Sequence, residues 1–163
     1  MEMTKTKKIA LLGILTAMYV VMSLTLKINL IGNIALDLGY IPFAVACCYF
    51  GPVGAVVGCI GCGLESILFS AYGFSISWFV SNLIIGLGCG FLFKATKNVW
   101  LRIVSVIVFV ALGILLAKTI IECNLYGIPF EIKIVKNLVA FGIDTAVMII
   151  GVVFFEKIKK FLR

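Results

Sequence analysis

Long apolar stretches alternate with short segments that carry most of the charged residues of the chain. A helix that crosses a membrane needs about 20 predominantly apolar residues. By that criterion the pattern predicts transmembrane helices over 9–26, 53–71, 76–94, 99–121 and 134–156. A shorter apolar stretch, 39–50, is counted as a sixth helix; the alternative is a re-entrant segment in a protein with five spans. The expected fold is all-α, a compact six-helix membrane bundle forming one domain over residues 1–163.

The distribution of lysine and arginine favours six spans over five. Most of the 14 Lys and Arg residues lie in the N-terminus, in the connection after the fourth predicted helix and in the C-terminus. Cytoplasmic loops are enriched in these residues, and two basic termini on one side of the membrane require an even number of spans. We therefore expect both termini in the cytoplasm, with the segments 27–38, 72–75 and 122–133 outside, the first of them as an extended loop.

The composition supports a membrane protein and narrows its chemistry. Hydrophobic residues make up 63% of the chain and charged residues 13%, against about 45–50% and about 25% in soluble domains. The sequence has no histidine, which removes the commonest general base and most catalytic zinc sites. It also lacks the glycine-rich phosphate loop with its Lys-Ser/Thr ending, so we expect no ATP hydrolysis by this chain. We expect neither an enzyme nor a bound cofactor.

Cysteines are numerous, but their setting is that of buried apolar residues. Cys59 and Cys62 form a C-x-x-C pair inside an apolar helix, and Cys47 and Cys48 are adjacent in another. Cysteine in such places behaves as a small hydrophobe. We therefore expect no metal site.

A few polar side chains lie inside the predicted helices, where lipid makes them costly and where they usually mark a site. With a rise of 1.5 Å per residue, Glu65 lies ~20 Å from the inner end of its helix and Asn82 ~9 Å from the outer end of the next. Asp144 lies ~15 Å down the last helix, and Lys118 and Asn137 lie near outer ends. The polar groups therefore collect in the outer half, as in a pocket open to the outside and closed to the inside.

Several of these residues also have a purely structural interpretation. Lys118 and Lys136 can extend to lipid headgroups, and Trp78 and Tyr40 can belong to an interfacial aromatic belt. Glu65 can pair with Lys118 only to neutralise it. We favour the structural interpretation for Lys136 and Tyr40. For Glu65 and Asn82 the cost of a polar group at that depth favours a role in the site.

Small residues recur in the predicted helices, where they allow helices to approach closely in lipid. For the glycines of the third and fourth helices, we expect packing within the bundle. The first helix differs because its small pair, Gly13 and Ala17, follows directly after the basic N-terminus. That pair packs within the bundle or docks another membrane protein.

Three stretches of the chain together resemble a known family of membrane proteins. They are "IALLGILTAMYVVMSLTL", "IALDLGYIPFAVACCYFGPVGAVVGCIGCGLESILF" and "FSISWFVSNLIIGLGCGFLFK". The chain resembles the substrate-binding (S) component of energy-coupling factor (ECF) vitamin transporters. The stretch "GYIPFAVACCYFGPVGAVVG", in which a short helix ends in Phe-Gly-Pro before a glycine-rich helix, is most similar to the folate-type branch.

The resemblance implies a function, partners and site residues. An S component in the plasma membrane would bind a small water-soluble vitamin or precursor from outside. It would dock on a membrane coupling subunit that works with two cytosolic ATPases, and would tip over in the membrane to release its ligand. The family's small-residue docking motif on the first helix corresponds here to Ala10, Gly13 and Ala17. The family's binding region, the outer parts of helices 4 to 6, implies Trp78, Asn82, Lys118 and Asn137 as ligand-binding residues, with Glu65 flanking them.

Two other functions fit the same sequence. One is a proton-coupled small-molecule carrier that uses Asp144 and Glu65, although such carriers usually place their acids near the midplane of two related halves. The other is a membrane accessory subunit without a transport function.

Overall fold

The computed structural model describes residues 4–25, 28–31, 34–69 and 73–161. A 3-10 turn, Gly51–Gly54, joins α2 to α3, and a π-helical segment, Ala111–Lys118, joins α5 to α6. The predicted helix ends at 26 and 71 lie outside the described residues. The regular elements are α1 Lys5–Thr25, β1 Ile28–Ile31, β2 Ile34–Leu36, α2 Tyr40–Phe50, α3 Ala55–Phe69, α4 Ile76–Ala95, α5 Val99–Val110, α6 Thr119–Tyr126 and α7 Phe130–Phe161.

Helices dominate the fold, and the expected membrane bundle is confirmed. Five helical stretches of the described chain are long and apolar enough to cross a membrane. Three of them run several residues beyond the predicted bounds, since α1 begins at Lys5, the path of α5 and α6 reaches Tyr126, and α7 begins at Phe130. The five stretches are Lys5–Thr25, Tyr40–Leu68, Ile76–Ala95, Val99–Tyr126 and Phe130–Lys160.

The second stretch, Tyr40–Leu68, folds back on itself instead of continuing straight. Gly51, in the left-handed region at φ 64°, ends α2. A Cβ added to Gly58 would lie 2.5 Å from the ring of Phe43, and one added to Gly54 would lie 2.5 Å from the backbone nitrogen of Cys47. Phe43 and Gly58 would be ~22 Å apart in one straight helix. α3 therefore runs back along α2, and its glycines are needed for close packing, as the sequence predicted.

A short antiparallel hairpin follows α1, where the sequence predicted an extended loop. Ile28 lies opposite Leu36 and Asn29 opposite Ala35. Asp37, which follows the hairpin, accepts hydrogen bonds from the Ser23 hydroxyl at 2.6 Å and from the backbone N–H of Gly39 at 2.8 Å. This carboxylate therefore ties the end of α1 to the start of α2.

Both termini lie at one end of the bundle. The ammonium group of Lys8, near the N-terminus, lies 5.9 Å from the centre of the Phe50 ring. Tyr49 packs edge-on against Phe155, near the C-terminus, with the ring centres 6.4 Å apart. We call this the terminal end, and the opposite end, which carries the hairpin, the hairpin end.

Arg102, which the sequence treated as a loop cation, is buried at the terminal end. Its guanidinium group donates to the carbonyl oxygens of Phe93 and Thr96, each at 2.9 Å, and forms an ion pair with Glu156. These bonds satisfy carbonyl groups left open at the end of α4. Arg102 thereby joins α4, α5 and α7.

Candidate functional site

The hairpin end contains a network of polar side chains centred on Glu122 of α6. One carboxylate oxygen of Glu122 lies 3.0 Å from the ammonium group of Lys133, and the other accepts a hydrogen bond of 3.3 Å from the Ser77 hydroxyl. The Asn137 amide donates to Glu122 at 3.4 Å and to the Thr119 hydroxyl at 2.9 Å. We call Ser77, Thr119, Glu122, Lys133 and Asn137 the upper cluster.

The upper cluster connects three helices in a place where water is scarce. Glu122 is only 7% exposed and Asn137 only 1%. A buried carboxylate is tolerated when a cation and hydrogen-bond donors compensate it. For Glu122, Lys133 of α7 supplies the cation, and Ser77 of α4 and Asn137 of α7 donate the hydrogen bonds.

Lys118 lies one helical turn before Glu122, at the end of the π-helical segment, and packs on Trp78. Its ammonium nitrogen lies 3.3 Å from the centre of the Trp78 ring. Lys118 is 5% exposed, so its charge is held over the aromatic face and does not extend to lipid headgroups. Such a contact gains strength when both partners are desolvated.

A second group of polar side chains lies deeper in the bundle. Asn82 follows Trp78 by one turn of α4, and Asp144 follows Asn137 by two turns of α7. Tyr40 begins α2, and its hydroxyl and Asp144 interact electrostatically. We call Tyr40, Asn82 and Asp144 the lower cluster.

The lower cluster contains buried polar atoms without partners. Tyr40 and Asn82 are fully buried, and Asp144 is 3% exposed. Within the described ranges, neither the Tyr40 hydroxyl nor either polar atom of the Asn82 amide has a hydrogen-bond partner. The neighbouring hydroxyls of Ser81 and Thr145 are also buried without a hydrogen-bond partner among the described residues. Groups of this kind are rare in native proteins and usually have a functional explanation.

A thiol, a lysine and a further carboxyl group lie around the lower cluster. The thiol of Cys62 lies beside Asn82 without the geometry of a hydrogen bond, and a thiol is a weak hydrogen-bonding group. Asp144 also interacts electrostatically with Lys118 and with Glu65, which is half-buried on α3. In the part of the chain that the structure describes, no group of three His, Cys, Asp or Glu residues could hold a metal ion.

A family model and two solved structures match this chain. The model describes the S component of ECF-type riboflavin transporters, and it matches residues 3–160. The chain belongs to this family of S components.

The two structures are similar to this S component in fold. One is the crystal structure of FolT bound with folic acid, at 19% identity and a TM-score of 0.69, covering 90% of this chain and 91% of that one. The other is the S component for biotin from an ECF-type ABC transporter, at 18% identity and a TM-score of 0.69, covering 98% of this chain and 95% of that one. The resemblance to the S components is thus confirmed, and a folate-binding protein is among the matches. The two equal TM-scores do not separate one vitamin from another.

The structure of this S component brings most of the predicted site residues together. Trp78 and Asn82 lie on α4, Lys118 before α6, and Asn137 on α7, around the two clusters. Tyr40 is fully buried against the rings of Tyr19 and Phe43, so its interpretation as an aromatic-belt residue was wrong.

Glu65 lies on α3 beside the lower cluster. It is half-buried on α3 and acts electrostatically on Tyr40 and Asp144. Lys118, the proposed partner, packs on Trp78 instead, and the acids that act on Lys118 are Glu122 and Asp144.

Sequence reasoning missed Glu122 and Lys133, because the predicted fifth helix ended at 121 and Lys133 was assigned to an outer loop. The helical path in fact continues for another turn, to Tyr126. The spacing of four residues from Lys118 to Glu122 was the signal available, since it places both on one helix face.

The small residues of α1 face away from the bundle. Ala10, Gly13 and Ala17 are exposed, and a Cβ added to Gly13 would have no described atom within 4 Å. The neighbouring Ile9 and Ile14 are also exposed. Packing within the bundle therefore does not explain the small side chains on this face.

Proposed function

We propose that this S component captures a small water-soluble vitamin at the hairpin end and passes it to an ATP-driven importer. The observation that carries the proposal is the set of unpartnered, buried polar atoms in the lower cluster, below a satisfied upper cluster. A site of this kind is complete only when a ligand supplies the missing hydrogen bonds. Riboflavin is the first candidate because the matching family is that of riboflavin transporters.

The proposed ligand contacts come from the residues around both clusters. Trp78 offers a flat aromatic surface and Asn82 offers a hydrogen-bond donor and an acceptor. Lys118 and Asn137 lie next to the two clusters, and Glu65 flanks the lower cluster from α3. A ligand that is largely enclosed by such walls is bound tightly and released slowly.

The proposed orientation follows from the basic residues. The terminal end faces the cytoplasm, since Lys5, Lys7 and Lys157 belong to it and the positive-inside tendency applies to them. The antiparallel arrangement of α2 and α3 supports six passes, the second of them short. The hairpin end then faces the outside of the plasma membrane, where the vitamin is found.

The partners would be a transmembrane coupling subunit and two cytosolic ATPases. The exposed face of Ala10, Gly13 and Ala17 supports docking through α1, because small residues allow close helix contact in lipid. The chain has no phosphate-binding loop of its own, so ATP hydrolysis falls to the partners.

Uptake into proteoliposomes tests this function against its main alternative. We expect uptake of radiolabelled riboflavin only when the coupling subunit and the ATPases are reconstituted with the chain and ATP is supplied. Uptake by the chain alone, driven by a proton gradient, would contradict the proposal and identify a proton-coupled carrier that uses Asp144 and Glu65.

A further inference from the structure

The lower cluster has a definite chemical character, which restricts the part of a ligand that it can bind. Asn82 is fully buried and leaves both its amide nitrogen and its carbonyl oxygen without a partner in the described chain. A primary amide of this kind presents a donor and an acceptor side by side in one plane. The complementary group is another planar unit that carries an N–H next to a C=O.

The surroundings favour an uncharged group. The carboxyl groups of Asp144, Asp37 and Glu65 all lie within electrostatic range of Tyr40, so acids and not bases surround this part of the site. The nearest cation, Lys118, is held over the Trp78 ring. Lys118 also interacts electrostatically with Glu122 and Asp144, so this cation already faces two acids of the bundle.

We propose that Asn82, with the hydroxyl of Tyr40, binds the uncharged cyclic amide edge of a flat ligand, in which an N–H lies beside a C=O. The inference rests on the proposed vitamin-binding function and deepens it. The amide edge is inserted first, toward the lower cluster, while the ring lies level with Trp78. Any anionic group of the ligand stays at the hairpin end, near the ammonium groups of Lys133 and Lys136.

The energetic reason is that the ligand-free protein already carries the cost of the buried, unpaired amide. A ligand that supplies both hydrogen bonds removes that cost, whereas a ligand that lacks the N–H leaves the Asn82 oxygen unpaired. Sites built to hydrogen-bond a ligand N–H or O–H discriminate strongly against analogues without it. Discrimination at the N–H is therefore the property to measure.

The test uses riboflavin and 3-methylriboflavin, in which a methyl group replaces the hydrogen on the ring nitrogen between the two carbonyls. We expect the purified full chain to bind 3-methylriboflavin at least about tenfold more weakly than riboflavin. Asn82→Leu should weaken riboflavin binding at least about tenfold and bring the two affinities together. Asn124→Leu is the matched control, because Asn124 is exposed on α6 and its amide donates to the Ile120 carbonyl one turn earlier on the same helix.

The melting temperature of Asn82→Leu shows whether this variant still folds. Because Asn82→Leu removes an unpaired buried amide, the ligand-free variant should melt at the same temperature as the wild type or higher. A lower affinity in a folded variant then reports the lost hydrogen bonds. A variant that fails to fold leaves the comparison of the two ligands on the wild type as the deciding result.

The outcomes separate this inference from the function on which it rests. Equal binding of riboflavin and 3-methylriboflavin by the wild type overturns the inference and leaves the proposed function standing. If the chain retains folic acid or biotin instead, Asn82→Leu must still weaken that vitamin about tenfold, since each has a cyclic amide or urea edge; unchanged affinity overturns the inference. Failure to bind any of the three vitamins contradicts the proposed function itself.

Discussion

The ammonium group of Lys118 lies 3.3 Å from the centre of the Trp78 ring, with Lys118 buried and Trp78 partly buried. This contact joins α4 to the end of the π-helical segment, and it covers one of the two faces of the Trp78 ring. The cation has acids on two sides, Glu122 on its own helix face and Asp144 on α7. Lys118 therefore sets the position of Trp78 between the upper and lower clusters.

Replacing Lys118 tests the role of this contact in positioning Trp78. Lys118→Met keeps the length of the side chain and removes the charge, so we expect vitamin binding to weaken by about 1–2 kcal/mol. Lys118→Arg keeps a cation over the ring and should retain most of the affinity. Isothermal titration of both variants measures the difference; equal losses would show that charge over the ring is irrelevant.

The fluorescence of Trp78 gives an independent readout of the same contact. The second tryptophan, Trp100, is 76% exposed, so a Trp100→Phe background isolates Trp78. In that background Lys118→Met should shift the emission of the ligand-free protein. An unchanged spectrum would mean that Lys118 does not hold the ring in solution.

Glu122 should be the residue on which the upper cluster depends most. Glu122→Leu leaves Lys133 and Asn137 without their acceptor in a buried place, which should destabilise the protein by about 3–5 kcal/mol. Glu122→Gln retains an acceptor and should cost less. Thermal melting in detergent provides the comparison, with Glu131→Gln, an exposed residue in the first turn of α7, as the control that should melt like the wild type.

The exposed face of α1 predicts a separation of binding from transport. Gly13→Leu adds a side chain in open space, so vitamin binding should be unchanged while uptake with the coupling module is lost. Gly142→Leu on α7 is the matched control, since that glycine is also exposed with no described atom within 4 Å of an added Cβ. It should leave both activities intact. Loss of uptake in both variants would show that bulk anywhere on the surface is harmful, and would remove the case for docking through α1.

Asp144 distinguishes an S component from a proton-coupled carrier. Asp144→Asn cannot carry a proton through a cycle, yet it keeps the shape of the side chain. We expect ATP-driven uptake to continue in this variant, with at most a change in affinity, because the energy comes from the partner subunits. Abolished uptake with intact vitamin binding would favour proton coupling through Asp144.

Hydrophobic patterning predicted the parts of the fold that depend on one helix at a time. A helix that crosses a membrane needs about 20 predominantly apolar residues, so the sequence marked the spans and the break at Gly51. Depth along a helix, estimated from the rise per residue, also placed Trp78, Asn82 and Asn137 near one another.

Features that depend on contacts between elements were not predictable in this way. The ion pair of Arg102 with Glu156 joins residues that are 54 positions apart, and nothing local distinguishes Arg102 from a loop cation. The hairpin strands Ile28–Ile31 and Ile34–Leu36 are only four and three residues long, so the alternating pattern typical of a strand is hardly visible in them. Glu122 was overlooked because acids near the predicted end of a span were assigned to the outer loop.

The most direct test of the central claim is native mass spectrometry of the purified chain after incubation with riboflavin, folic acid and biotin. We expect one vitamin molecule, riboflavin first among the three, to remain bound to each chain after the detergent is removed, and Asn82→Leu to lose most of it. A spectrum in which the wild-type chain carries none of the three vitamins would contradict the account of this protein as a vitamin-binding S component.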